Sequence, residues 1–299
     1  MAFTCLCFAS QAQAQPEFIP VPNQSFESPK ILFVNLNLQS WQKTPKPDGY
    51  LETADFLWSQ LSGVFKNTAA GSSDHIVNID GSQAVWIFAV PEAGIFQDAT
   101  SVDSDDLQPS HDFDVRFVAG KSYTLTVGAI GNGGAMRNGV TAQLSLYFRD
   151  AVGRQVFIAS TTITNSSELF PDRNHLVDFS VEMPSVKPSD PWANQTMGIE
   201  LRSTVTDELK GGYWVFDNFR LQATEDVPLE LLAKPTNTTL EIFWQSSPKR
   251  RYQVQISEDF QSWKNVESPI QGTGERLSKT VATDQNPKAF VRLVVTTAQ

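Results

Sequence analysis

Tyr213-Trp214-Val215-Phe216-Asp217-Asn218-Phe219-Arg220-Leu221 is the stretch on which the fold turns. As a strand it alternates its side chains between two faces, so Val215, Asp217, Phe219 and Leu221 are expected to share one. Trp214, Phe216, Asn218 and Arg220 then face the other way. An ionised Asp217 in a row of core-type residues costs several kcal/mol unless it has a partner. Two resolutions stand open: Asp217 lies at an exposed strand end, or it shares a hard cation with Glu27 of Val21-Pro22-Asn23-Gln24-Ser25-Phe26-Glu27. Calcium suits the second, because it takes carboxylate and backbone oxygens together.

Working outward, the chain reads as strands almost throughout. Tyr123, Leu125 and Val127 alternate with Thr124 and Thr126, and Leu144, Leu146 and Phe148 alternate with Gln143, Ser145, Tyr147 and Arg149. Residues 82–89 form an apolar run of the kind buried on both faces, with Trp86 expected in the core. Turn chemistry such as Gly131-Asn132-Gly133-Gly134 stands between the runs. Helix is scarce; residues 53–61 make a turn or two, or an ordered loop. The class is therefore all-β, with short strands arranged as a sandwich. A polar segment at residues 223–230 divides the chain, and a second strand series follows over 229–299.

The Asn-x-x-Phe-Glu opening and the Asp-Asn-Phe-x-Leu close resemble the ends of jelly-roll carbohydrate-binding modules of the family four/nine kind. Asp80-Gly81-Ser82-Gln83-Ala84, Ile95-Phe96-Gln97 and the 117–127 segment appear between them in the expected order. The resemblance covers residues 18–223. Stig cyclases, which fold alkaloid skeletons, look like relatives of such modules and fit the same pattern. In both groups a structural calcium links the first and last strands. The resemblance thus implies Glu27 and Asp217 as ligands. Calcium's need for roughly six to eight oxygens adds backbone carbonyls near Asn23 or Ser25 and in the loop before Ser82, with Asp80, which reads first as a turn residue, as an extra candidate. Residues 229–299 resemble the small fibronectin type III-like domain that ends many secreted bacterial proteins, through Trp244, Tyr252-Gln253-Val254-Gln255 and Phe290-Val291-Arg292.

With 23 basic against 33 acidic residues, the net charge of −10 disfavours nucleic acid and anionic membranes. After the first residues, nothing approaches the roughly 18 apolar residues needed to cross a bilayer, so no membrane insertion is expected. Residues 1–14 read as a signal peptide, possibly truncated, with Ala12 and Ala14 supplying a small-x-small cleavage pattern. Secretion, or export to the periplasm, follows. Both cysteines, Cys5 and Cys7, lie in that leader, which excludes thiolate chemistry and disulfides in the mature chain.

Catalytic signatures such as Gly-x-Ser-x-Gly and His-Glu-x-x-His are absent from the sequence. The acidic run at residues 103–114 reads as a solvated loop. The function expected is non-catalytic binding of a polysaccharide or cell-surface glycan through aromatic stacking, with Trp58, Tyr147, Trp192, Trp214 and Arg202 as candidate contacts. Two alternatives stand beside it: a structural or adhesive surface protein without a small ligand, and a Stig-cyclase-like enzyme. The cyclase would need a buried acid beside aromatics. Asp217 is the obvious one, but a bound calcium would hold it ionised.

Overall fold

In the computed structural model, residues 8–10, 16–53, 56–100, 113–225, 231–236, 238–246, 250–282 and 290–297 are described. Most of the presumed leader and of the 103–114 acidic run lies outside them. The strands in chain order are β1 (Phe8–Ser10), β2 (Glu17–Ile19), β3 (Val34–Asn35), β4 (Gln42–Lys43), β5 (Ser62–Lys66), β6 (Gln83–Phe88) and β7 (Gly94–Gln97). Then come β8 (Lys121–Gly133), β9 (Thr141–Arg149), β10 (Gln155–Thr164), β11 (Val177–Met183), β12 (Gly198–Ser203) and β13 (Tyr213–Glu225). The last series is β14 (Leu232–Pro235), β15 (Thr239–Gln245), β16 (Arg250–Ser257), β17 (Lys264–Asn265), β18 (Ile270–Gln271), β19 (Arg276–Ala282) and β20 (Phe290–Thr297). Among the described residues the one helical element is a 3-10 turn, Trp58–Gln60, within the stretch where a turn or two was expected. The protein is all-β and divides into two compact units, one of them Glu17–Ala223.

That unit is a jelly-roll sandwich. One sheet has the order β11-β8-β13-β6-β5-β3, with β2 added beside β13; the other has the order β10-β9-β12-β7-β4. Alternation builds the core between them. Leu125, Val127, Val85 and Ile87 point inward from the first sheet, and Leu144, Leu146, Ile199 and Leu201 from the second. Gly128 and Ala84, of opposite parity, lie on the far side of the first sheet.

Strand β13 departs from simple alternation, and the departure matters. Trp214 and Phe216 join the main core, as do Phe219, Leu221 and Ala223, whereas Val215 belongs to a separate cluster on the outer face with Ala84 and Ile130. The switch from even to odd inward positions occurs at Asn218, whose φ is +58°. One residue in the left-handed region within a strand re-aims everything after it, as a β-bulge does. The expected single row of Val215, Asp217, Phe219 and Leu221 is therefore wrong, because the bulge divides it. Asparagine tolerates this φ and a β-branched side chain does not. Asn218→Val is expected to destabilise the jelly roll by about 2 kcal/mol, whereas Asn218→Gly stays near neutral; urea unfolding reads both.

The second unit has its own core of Leu240, Ile242, Trp244, Tyr252, Val254, Val291 and Leu293. Two sheets enclose it: β14-β15-β19, and β20-β16-β17 with β18 also on β16. β1, from the presumed leader, pairs in parallel with β20.

Candidate functional site

The opening loop meets the closing strand through carboxylates. Asp217 is fully buried, so the exposed-end alternative falls away. Its Oδ2 accepts the Asp80 backbone N–H at 2.7 Å, while its buried Oδ1 has no hydrogen-bond partner. Glu27 Oε1 accepts the backbone N–H groups of Ser82 and Gln83 at 2.6 and 2.7 Å, and its Oε2 accepts the Ser82 hydroxyl at 3.0 Å. Gly81, at φ +92°, lets the 80–83 loop close on Glu27, since a Cβ there would fall 2.5 Å from the Glu27 carboxyl carbon. Asp80 Oδ2 accepts the Ser25 hydroxyl at 2.8 Å. Burial pushes the Asp217 carboxyl up to about 8; the Asp80 and Asn218 amides oppose this, and the charges of Asp80 and Glu27 add to it.

A buried carboxylate with an orphaned oxygen, beside the charges of Asp80 and Glu27, fits a cation. Asn23 does not present a free group: its carboxamide binds Ser28 N and O and Gln39 O, and its carbonyl accepts Trp41 Nε1 and Phe26 N. Among the described residues no three acidic, histidine or cysteine side chains are already grouped around one metal position. Backbone oxygens would have to complete the shell.

The sequence candidates for stacking are dispersed. Trp214 is completely buried in the core, against Phe216 and Phe170. Trp58 is buried as well, with its indole N–H donating to Thr44 O at 2.7 Å. Trp192 is half-buried and packs on the core, its ring nitrogen buried without a partner. None of the three offers a flat open ring. Tyr147 and Arg202 do share the outer face of the five-stranded sheet. Tyr147 lies over Gly198, where a Cβ would run into the ring, and its hydroxyl donates to Asp98 at 2.6 Å. It is 0% exposed, and burial raises its phenol pKa. Arg202 pairs with Glu92 at 2.7 Å and Glu200 at 3.3 Å and stacks over Phe157. Desolvation pushes buried Glu200 up, Arg202 opposing it. These groups are bonded to one another, and Tyr147 is closed to a ligand.

The open aromatic surface lies on the outer face of the other sheet. Trp86, expected in the core, alternates outward from Val85 and Ile87 and is half-buried. It stands directly opposite Gly63 in the β5–β6 ladder, and a Cβ on Gly63 would collide with its indole, so the ring lies flat across the sheet. Tyr213 lies over Gly133 in the same way, with 2.7 Å from a Gly133 Cβ to its ring atoms. Together with Phe65, Phe88, Ile130 and Val215 they floor a cavity of about 710 Å³. Phe33, Val34 and Leu36 wall one side, and Lys66, Asp74 and Arg173 supply its charged groups. Sequence reading missed this platform because the signal, a glycine opposite an aromatic ring, exists only once strand register is known.

The sequence matches the HpiC1-like family model, HpiC1 cyclase, over residues 17–222. The chain belongs to this family. HpiC1-like proteins thus account for the whole jelly roll, and of the two groups the sequence resembles, the cyclases are the one the family match identifies. A cyclase from Fischerella sp. TAU superposes with a TM-score of 0.51 at 20% identity, covering 71% of this chain and 100% of its own. The Stig cyclase Fisc from Fischerella sp. TAU, solved in complex with (3Z)-3-(1-methyl-2-pyrrolidinylidene)-3H-indole, gives 0.50 at 21% identity, covering 70% and 98%. The CBM22-1 xylan-binding domain of Paenibacillus barcinonensis Xyn10C gives 0.37 at 13% identity, covering 73% and 99%. At such identities the two cyclase likenesses speak to the fold alone. No curated protein matches the chain.

Proposed function

We propose that the jelly roll of this HpiC1-like protein is a small-molecule domain that holds a flat, largely apolar ring compound against Trp86 and Tyr213. The observation that carries the reading is the cavity of about 710 Å³ floored by two rings laid over glycines. A concave, mainly apolar site with a few polar groups at its edge is the usual form of a ligand pocket. The indole compound bound by Fisc is of the same general kind. A glycan would stack on the same rings, but its hydroxyls need several matching polar groups, and most of this lining is hydrocarbon. Ring closure on the bound compound is the activity family membership suggests. The titratable groups in the lining are Lys66, Asp74, Arg173 and Tyr213, while buried Asp217 lies outside it.

Calcium belongs to the same proposal as a structural ion. Glu27 and Asp217, with nearby backbone oxygens and Asp80 as a further source, would hold it, tying the opening loop to the closing strand, and it would take no part in ligand chemistry. Export, with residues 1–14 removed, and a fibronectin type III-like spacer role for the second unit complete it. Isothermal titration of the full chain with uncharged indole derivatives and with xylan oligosaccharides tests the ligand class. Saturable binding of the indoles with weaker or no binding of the oligosaccharides is expected. The reverse order would return the domain to glycan recognition.

A further inference from the structure

We propose that the compound held in this cavity carries an anionic group, a carboxylate in the simplest case, beside its ring. The inference rests on the cavity being the binding site and adds the ligand's charge. Lys66, the last residue of β5, and Arg173, from the loop before β11, both line the cavity and are exposed. Neither makes an ion pair or a side-chain hydrogen bond among the described residues. The neighbouring acid Asp172 is engaged elsewhere, accepting the Asn174 amide at 3.0 Å and lying 3.4 Å from His175.

The one acid in the lining, Asp74, does not supply the missing counter-charge. Its carboxylate accepts the Ser72 hydroxyl at 2.6 Å, and this bond leads the effects that hold its pKa below the usual range. The lining therefore presents two cations against one anion already bonded. An anion placed at the edge of an apolar cavity gains charge-assisted hydrogen bonds that a neutral analogue cannot form. Arginine adds planar, bidentate geometry suited to a carboxylate. An uncharged ring compound would fill the floor and leave both cations as they are.

Isothermal titration of the full chain at pH 7 with indole-3-propionate and with indole-3-propionamide separates these cases. The two probes share ring and length and differ in charge. The acid is expected to bind about tenfold tighter than the amide, with the gap narrowing as salt rises. Lys66→Gln and Arg173→Gln are each expected to weaken the acid more than the amide and so narrow the gap between the two probes. Equal or tighter binding of the amide would overturn the anionic preference while leaving the cavity as the binding site. If neither probe binds, the cavity reading itself fails and the charge preference fails with it.

Discussion

Held in chelator, the jelly-roll unit is expected to lose stability steadily as pH rises from 4 to 8, and calcium is expected to restore it. The Asp217 carboxyl, whose ordinary value is 3.8, sits at about 8 in the folded chain. A raised carboxyl binds its proton more tightly folded than unfolded, so between those values ionisation costs the folded state more than the unfolded one. The contribution of Asp217 to stability is greatest below about pH 4, falls through the window, and levels off above pH 8. Every tenfold gain in proton affinity on folding corresponds to about 1.4 kcal/mol, so the total is of the order of 5 kcal/mol for a fully buried group. For a domain of this size that is roughly 10 °C or more in Tm. Calcium would replace the proton as counter-charge, and at pH 8 it should raise Tm by a similar amount. Asp217→Asn, neutral at every pH, should show neither the slope nor the calcium response, and in chelator at pH 8 it should melt above the wild type. A flat Tm from pH 4 to 8 with no calcium effect would remove the metal from the fold. Scanning calorimetry of the full chain, following the jelly-roll transition, makes the comparison.

Removal of the Trp86 ring should have the largest effect on ligand binding. The indole lies flat over Gly63 and forms the centre of the cavity floor. Stacking against such a ring contributes on the order of 1 kcal/mol beyond the area it covers, and the area term adds to it. Trp86→Ala should therefore weaken an uncharged indole at least about tenfold. The cost to stability should stay below that of a core tryptophan, because the side chain is only half-buried on the outer face. Trp214→Ala, by contrast, deletes a completely buried ring from the main core and should cost about 3–5 kcal/mol. Unchanged indole affinity in Trp86→Ala would place the ligand elsewhere.

The all-β class was plain in the sequence, because alternation over β8 and β9 and the turn residues between strands are local signals. The approach of the opening loop to the closing strand came from the family resemblance, since the residues alone left an exposed strand end open for Asp217. What escaped was set by register and by one torsion angle. Nothing local in Asp217-Asn218-Phe219 distinguishes a regular strand from one with a bulge at Asn218, yet that residue lets Phe216 and Phe219, of opposite parity, both face inward. Trp86 looked like core because its run, Ala84-Val85-Trp86-Ile87-Phe88, is apolar on both faces. One face packs inside the sandwich and the other lines a cavity, and the two differ only in what lies above them. Tyr147 and Arg202 lie on a different sheet from Trp214, and the buried acids Asp98 and Glu200 that occupy them are not legible as their partners until the strands are in register.

The most direct measurement is the two-dimensional ¹H–¹⁵N spectrum of the tryptophan indole groups, with the Trp86 signal assigned by Trp86→Phe, during titration with an uncharged indole derivative. The expected result is a saturable shift of the Trp86 indole signal while those of Trp58 and Trp214 stay in place. A Trp86 signal that does not move at saturating ligand, or a shift centred on another tryptophan such as Trp263, would contradict the assignment of the cavity as the binding site.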